Sequence, residues 1–377
     1  MRAAARLSKI ERDASLFMKM GLVRRGYSGS GGAERYLLRF AEALCAAGHE
    51  AVLFGSRDWP ADAWKGELVR VEGRGPREFA DGLLKARPRE RCDLVYSFER
   101  VWECDAYRAG DGVHRAWLER RREFEPRWKG WYRATQRKHR EILELERAVF
   151  DAGARRLIIA NSRMVAAEIA RYFQVQEERL QVIYNGLPAD KTRCEARTKP
   201  MTLMPDVHAD KASCRVLFAG SGWERKGLRF AIEAVNRTAS ATLLVAGAGK
   251  RTGLPASPRT RFLGEVKEMG EAMESAEVFL LPTIYDPFSN ASLEAMAAGL
   301  PVITTEANGF AEIMRPGEDG EVLRSPADIE GMAAAIEKWS ARETPESREA
   351  RRAEARRHTM EENVRQTLEA LGKFKNK

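Results

Sequence analysis

Short apolar runs alternate with stretches of helical period along most of the chain, and this alternation sets the expected fold. In the first half the run Ser15-Leu-Phe-Met-Lys-Met20 leads into a glycine-rich loop, Gly26-Tyr-Ser-Gly-Ser-Gly-Gly32. A helix follows with Tyr36, Leu37, Phe40, Leu44 and Ala47 on one face, stopping near Gly48, and Ala51-Val-Leu-Phe54 reads as the next strand. The period switches where a strand–helix–strand unit requires it. Further strands are predicted at Asp93-Leu-Val-Tyr96 and Leu157-Ile-Ile-Ala160. The pattern breaks near Gln181-Val-Ile-Tyr-Asn-Gly-Leu-Pro188, and the polar segment 189–213 reads as a linker. A second series then begins, with strands predicted at 215–219, 241–246, 262–263, 278–281, 302–304 and 322–323. The charged stretch 345–377 reads as helical. Alternating strands and helices imply parallel sheets covered on both faces. The expectation is therefore an α/β chain of two facing, doubly wound Rossmann-like domains, residues 1–188 and 189–344, with a cleft between them.

Composition narrows the classes. A chain of 377 residues can bury two cores, and 44% hydrophobic against 32% charged residues is a globular rather than a disordered balance. No apolar run approaches the roughly 20 residues that span a bilayer. The basic start, Met1 to Ala14, lacks the apolar stretch of a secretory signal. The five cysteines, Cys45, Cys92, Cys104, Cys194 and Cys214, are scattered and odd in number, which points to a reducing cytoplasm. The net charge, 64 − 55 = +9, favours anionic partners without choosing among nucleotides, nucleic acid and acidic lipid.

The chemistry concentrates in four places. Tyr285-Asp-Pro-Phe-Ser-Asn-Ala-Ser-Leu-Glu-Ala-Met-Ala-Ala-Gly-Leu-Pro301 follows a predicted strand and reads as a loop and a helix that stops at Gly299 and Pro301. This puts Glu294 in the first helical turn at the carboxyl edge of a parallel sheet, where open α/β folds bind ligands. A carboxylate there can accept hydrogen bonds from ligand hydroxyls, or it can satisfy the helix's own amides. In Gly220-Ser-Gly-Trp-Glu-Arg-Lys-Gly-Leu228, the adjacent Arg225 and Lys226 stand in a glycine-bounded turn that opens a helix. A guanidinium grips phosphate bidentately and an ammonium adds a point charge; the plainer reading is a solvated charged loop. Gly29-Ser-Gly-Gly-Ala-Glu-Arg35 runs from strand to helix and lets backbone amides approach an anion. Glu34 stands where a dinucleotide fingerprint needs glycine, so NAD is excluded, and a plain tight turn is the other reading. Asp111, in a loop before Gly112, can orient a hydroxyl, stabilise positive charge, or cap a turn. The chain lacks an Asp-x-Asp triplet and its five histidines show no ligand spacing, so no metal site is expected.

An acid, seven residues and a Glu, followed by Ala-Met-Ala-x-Gly-x-Pro-Val, resembles the donor-binding motif of the retaining GT-B glycosyltransferases of family four. The resemblance implies that Glu294 holds the ribose of a nucleotide sugar and that Asp286 contacts the transferred sugar, although the family usually has Glu at that position. It implies that Gly31 and Gly32 face the diphosphate or the acceptor. Arg225 and Lys226 would neutralise the leaving nucleoside diphosphate, as electrostatic stabilisation of the transition state. Phe98, Tyr107, Ala109 and Asp111, and the stretch through Arg133, His139, Glu146-Arg147-Ala148 and Phe150 to Gln181, are similar to the family's lipopolysaccharide core glucosyltransferases. That similarity implies a catalytic part for Asp111 beside Lys226. It further implies hexose transfer from UDP-glucose or a similar donor to a cell-envelope glycolipid or polysaccharide acceptor. Retention, independence of metal, no cofactor beyond the nucleotide sugar, and a helix of 345–377 packing back on the first domain belong to the same resemblance.

Between Arg115 and Arg140 ten Lys/Arg face three Glu, interleaved with Trp117, Phe124, Trp128, Trp131 and Tyr132. Basic residues beside aromatics suit an anionic membrane surface on the inner face of the plasma membrane. The same mixture suits single-stranded nucleic acid, or a solvated helix with some aromatics in the core. Placement directly after the Asp111 loop favours the membrane, and no nucleic acid is expected. The competing classes are an inactive GT-B scaffold that only binds sugars and a basic nucleic-acid-binding module.

Overall fold

The computed structural model describes residues 17–29, 31–126, 136–188, 214–315, 317–342 and 344–375. The expectations for Met1 to Ala14, Trp128, Trp131, Tyr132, Arg133 and the 189–213 linker lie outside the described residues.

The first sheet holds β1 (Lys19–Arg24), β2 (Glu50–Gly55), β3 (Glu67–Arg70), β4 (Leu94–Ser97), β5 (Ala106–Arg108), β6 (Leu157–Ala160) and β7 (Leu180–Val182). Their order is β3-β2-β1-β4-β5-β6-β7, with parallel pairing throughout. Around it pack α1 (Gly32–Ala46), α2 (Pro76–Ala86), α3 (His114–Arg122), α4 (Arg137–Val149) and α5 (Arg163–Phe173). The central strands are buried on both faces, which is why they read as continuous apolar runs. The first strand lies four residues later than the 15–20 run, because Met20, Leu22 and Val23 fill the core while Phe17 stays exposed. Ala47 is not on the buried face of α1; it is the exposed residue that closes the helix. Strands β3, β5 and β7 were not anticipated. Each is three or four residues long and includes at least one polar residue, Glu67 and Arg70 in β3, Arg108 in β5 and Gln181 in β7.

The second sheet holds β8 (Cys214–Ala219), β9 (Ala241–Ala246), β10 (Thr260–Gly264), β11 (Val278–Leu281), β12 (Val302–Thr305) and β13 (Gly320–Leu323), in the parallel order β10-β9-β8-β11-β12-β13. It is covered by α6 (Leu228–Arg237), α7 (Met269–Glu274), α8 (Asn290–Ala297) and α9 (Ile329–Ser340). The six strands fall where the apolar runs place them, within one or two residues.

The C-terminal stretch divides, contrary to its reading as one unit on the first domain. α10 (Pro345–Ala355) stays on the second domain: the fully buried Arg351 donates from Nε to the Gly299 carbonyl at 2.9 Å and from Nη1 to the Glu318 carbonyl at 3.2 Å. Only α11 (Met360–Lys375) returns to the first domain, where Met360, Val364 and Leu371 join the core around Leu37 and Phe40. Tyr36 there donates its hydroxyl to Asn363 at 2.7 Å. The two crossings between domains run side by side. Leu187 N donates to the His358 carbonyl at 2.9 Å, and Met360 N donates to the Leu187 carbonyl at 2.8 Å.

Candidate active site

The carboxyl ends of the two sheets face each other, and the second-domain wall is built around the turn that opens α6. Gly227, in the left-handed region at φ 76°, sits so close to the Pro282 carbonyl that a Cβ would lie 1.8 Å from it. The turn is thereby pressed onto the end of β11, where Ile284 N and Thr283 Oγ1 each donate to the Arg225 carbonyl at 2.9 Å. With the backbone fixed, Lys226 Nζ reaches Asp286 at 3.3 Å, and both side chains are largely buried. The Arg225 guanidinium, in contrast, makes no hydrogen bond among the described residues. It lies near enough to the opposite wall to depress the pKa of Asp111.

Glu294 departs from its expected place. α8 begins at Asn290 and is capped by Ser289, whose Oγ accepts from Ser292 N at 3.2 Å. Glu294 therefore stands in the second turn, past the amides that a helix N-terminus leaves unpaired. It does not satisfy those amides. Its Oε1 accepts from Arg39 Nη1 of α1, across the cleft, at 2.9 Å.

On the first-domain wall Arg24, at the end of β1, is the centre of the network. It donates to Glu34 at 3.0 and 2.9 Å, to Asp111 at 3.0 Å and to the Phe98 carbonyl at 3.2 Å. Burial alone would raise the pKa of Asp111, but Arg24, Arg100 and Arg225 outweigh it and hold the group down to about 2. Asp111 is thus a carboxylate at neutral pH, able to accept a hydrogen bond or face positive charge and unable to donate a proton. Gly31 caps α1 directly over Glu34, and Gly32 is exposed at the helix start. Behind Asp111, Arg100 donates to the Gly112 carbonyl at 2.6 Å and to Glu146 at 3.2 Å. Glu146 in turn accepts from His114 N at 2.6 Å and Arg115 N at 3.1 Å, capping α3. His114 stacks on His139, and burial first, then Arg100, pushes its pKa down to about 3.

Tyr285 joins the two walls. This second-domain residue is fully buried in the first domain's core, where its hydroxyl accepts from Val113 N at 2.9 Å and donates to Glu168 at 2.7 Å. Gly112, at φ 68°, leaves room for it; a Cβ there would lie 2.3 Å from the Tyr285 hydroxyl. The neighbouring basic segment differs from expectation in its described part. Trp117 stacks on Tyr285, and Phe124 packs edge-on against Phe230 of the second domain, so both aromatics serve interdomain packing rather than a free surface. Arg115, Arg122, Lys138 and Arg140 remain exposed.

The structure thus gathers Gly31, Gly32 and Asp111 on one wall and Arg225, Lys226, Asp286 and Glu294 on the other. Sequence reasoning missed Arg24 and Arg39, and named Glu146 and Tyr285 only within longer stretches, without a role of their own. The available signal was weak: Arg24 closes a buried strand and Arg39 lies within a helix, and the cleft partners of both lie far away in sequence. The arrangement can hold an anionic group between unpaired and paired cations at a helix N-terminus, opposite a carboxylate that stays ionised.

Two Rossmann-like domains facing across a cleft, with this distribution of charge, define the GT-B class. Residues 30–191 match the family model described as Glycosyltransferase Family 4, and residues 213–341 match Glycosyl transferases group 1. The chain belongs to the two-domain GT-B glycosyltransferases that these two models describe. It is 25% identical over 331 residues to the lipopolysaccharide glucosyltransferase WaaG of Escherichia coli (strain K12), covering 82% of this chain and 86% of that protein. It is 27% identical over 320 residues to the lipopolysaccharide core biosynthesis glycosyltransferase LpsE of Rhizobium meliloti (strain 1021), covering 81% and 85%. A crystal structure of WaaG shares the fold with a TM-score of 0.75 at 22% identity, over 93% of this chain and 98% of that one. The structure of Anabaena Alr3699/HepE in complex with UDP-glucose does so with a TM-score of 0.69 at 16% identity, over 93% and 98%.

Proposed function

We propose that this glycosyltransferase moves a hexose from a UDP-sugar, UDP-glucose first, to a cell-envelope glycolipid of the lipopolysaccharide core type, with retention and without a metal ion. The diphosphate lies between Arg225 and Lys226, the ribose on Glu294, and the transferred sugar beside Asp286. The acceptor hydroxyl approaches from Asp111 and the Gly31–Gly32 loop. The observation that carries this reading is the Arg225 guanidinium, which makes no hydrogen bond among the described residues and faces the Asp111 wall. A cation left in that state at a helix N-terminus suits an incoming phosphate. As the sugar–phosphate bond breaks, charge grows on the diphosphate, and the two fixed cations stabilise it without reorganising. The acceptor attacks on the face that the diphosphate leaves, and a leaving-group oxygen takes its proton. Asp111, ionised, then orients the hydroxyl and faces the positive charge at the anomeric carbon.

The relatives' names support the choice of substrates, since WaaG and LpsE act in lipopolysaccharide synthesis and HepE was crystallised with UDP-glucose. The exposed Arg115, Arg122, Lys138 and Arg140 suit contact with an anionic membrane surface that carries the acceptor. A thermal-shift panel of nucleotide sugars in EDTA tests the donor. UDP-glucose should raise the midpoint by several degrees and GDP- or ADP-sugars by little; equal silence across the panel would remove the reading.

A further inference from the structure

Glu294 lacks the help that a helix N-terminus gives to a carboxylate. It stands in the second turn of α8, and the helix start is capped by Ser289, whose Oγ accepts from Ser292 N. What holds it is Arg39, from α1 of the other domain. The pair is 2.9 Å apart, and each side chain is only 13% exposed. In so sheltered a place either polar side chain left without the other would lose its water without return, so the contact holds both in one orientation. The contact uses one nitrogen of Arg39 and one oxygen of Glu294. A carboxylate offers about four acceptor sites on its two oxygens, so lone pairs remain for a pair of adjacent hydroxyls while Arg39 stays in place.

We infer that Arg39 is a positioning residue of the nucleotide site, contributed by the acceptor-side domain: its hydrogen bond fixes the orientation of the Glu294 carboxylate toward the ribose. This rests on the proposed donor site and adds a consequence. Because the arginine and the glutamate belong to different domains, ribose recognition is complete only when the two lobes stand as they do here. Ordering of the donor and approach of the acceptor wall are then one event, and an open enzyme grips the diphosphate through Arg225 and Lys226 but holds the nucleoside poorly.

The test compares two ligands that differ by the nucleoside alone. UDP and inorganic pyrophosphate are titrated by calorimetry into the full chain, as wild type, Arg39→Ala, Arg39→Lys and Glu294→Ala, and the two alanine changes are also combined. Arg39→Ala should weaken UDP roughly tenfold and leave pyrophosphate within about twofold. Arg39→Lys, which keeps the charge, should recover most of the UDP affinity. In the Glu294→Ala background the Arg39 change should cost nothing more, since its effect passes through that carboxylate. Equal loss for both ligands, or full additivity in the double variant, would reduce Arg39 to a structural contact and overturn the inference while leaving the donor site standing. Failure of the wild type to bind UDP would overturn the proposed function itself, and the inference with it.

Discussion

Arg225 and Lys226 are neighbours in sequence and differ in what surrounds them. Arg225 makes no ion pair among the described residues, whereas Lys226 neutralises the buried Asp286. Removing Lys226 therefore does two things at once, taking a cation from the cleft and stranding a carboxylate. We expect Lys226→Ala to lower stability by about 1–3 kcal/mol, and the double variant Lys226→Ala/Asp286→Ala to regain part of that loss. Urea denaturation checks both; additive losses would mean that the pair is not coupled. The chain's Asp where the family usually has Glu belongs to the same contact, since the shorter side chain still meets the Lys226 ammonium. At this scale the sequence was readable where chemistry is local. Arg225 and Lys226 were marked by the glycines around them, Glu294 and Asp111 by their spacing. Arg24 was not, because its partner Asp111 is 87 residues away, and no periodicity records such a contact.

Elements were legible in proportion to their apolar length. β11 is an unbroken apolar run, and β8 and β9 are apolar but for Arg215 and Thr242; all three were found within a residue or so, while β5 and β7, of three residues each, hold their place through neighbouring strands. Helix starts were harder. α8 was expected to hold Glu294 in its first turn, but Ser289 and its acceptor role set the start at Asn290. α3 shows how a cap can come from far away in sequence. Its first amides are bound by Glu146 of α4, which also pairs with the buried Arg100 at 3.0 Å. Glu146→Ala would strand that guanidinium and uncap the helix, and is expected to cost about 3–5 kcal/mol. Glu146→Gln keeps an acceptor and should cost clearly less. The urea midpoints of the two variants decide this, and equal, small losses would contradict the capping role.

Across the whole molecule, specific contacts join the two domains. Tyr285 is lodged in the opposite core, and Glu312 of the second domain accepts from Arg163 N at 2.8 Å and Met164 N at 2.7 Å at the start of α5. The paired crossings at Leu187 and Met360 add two backbone hydrogen bonds, and Arg39–Glu294 and Phe124–Phe230 also span the two domains. The two-domain plan was legible from the repeated strand–helix pattern and its break, but these bridges were not, because each joins residues more than 100 positions apart. They matter for function because they hold the Asp111 wall against the Arg225 wall, and transfer needs both within reach of one sugar. The direct measurement of that account is the rate of glucose transfer from labelled UDP-glucose to a lipopolysaccharide-core acceptor, in EDTA, by wild type and Arg225→Ala. The account predicts turnover by the wild type without divalent ions, and a loss of about 100-fold or more in the variant at an unchanged melting temperature, since this guanidinium makes no hydrogen bond among the described residues. Full turnover by Arg225→Ala, or a wild type that works only with magnesium, would contradict it.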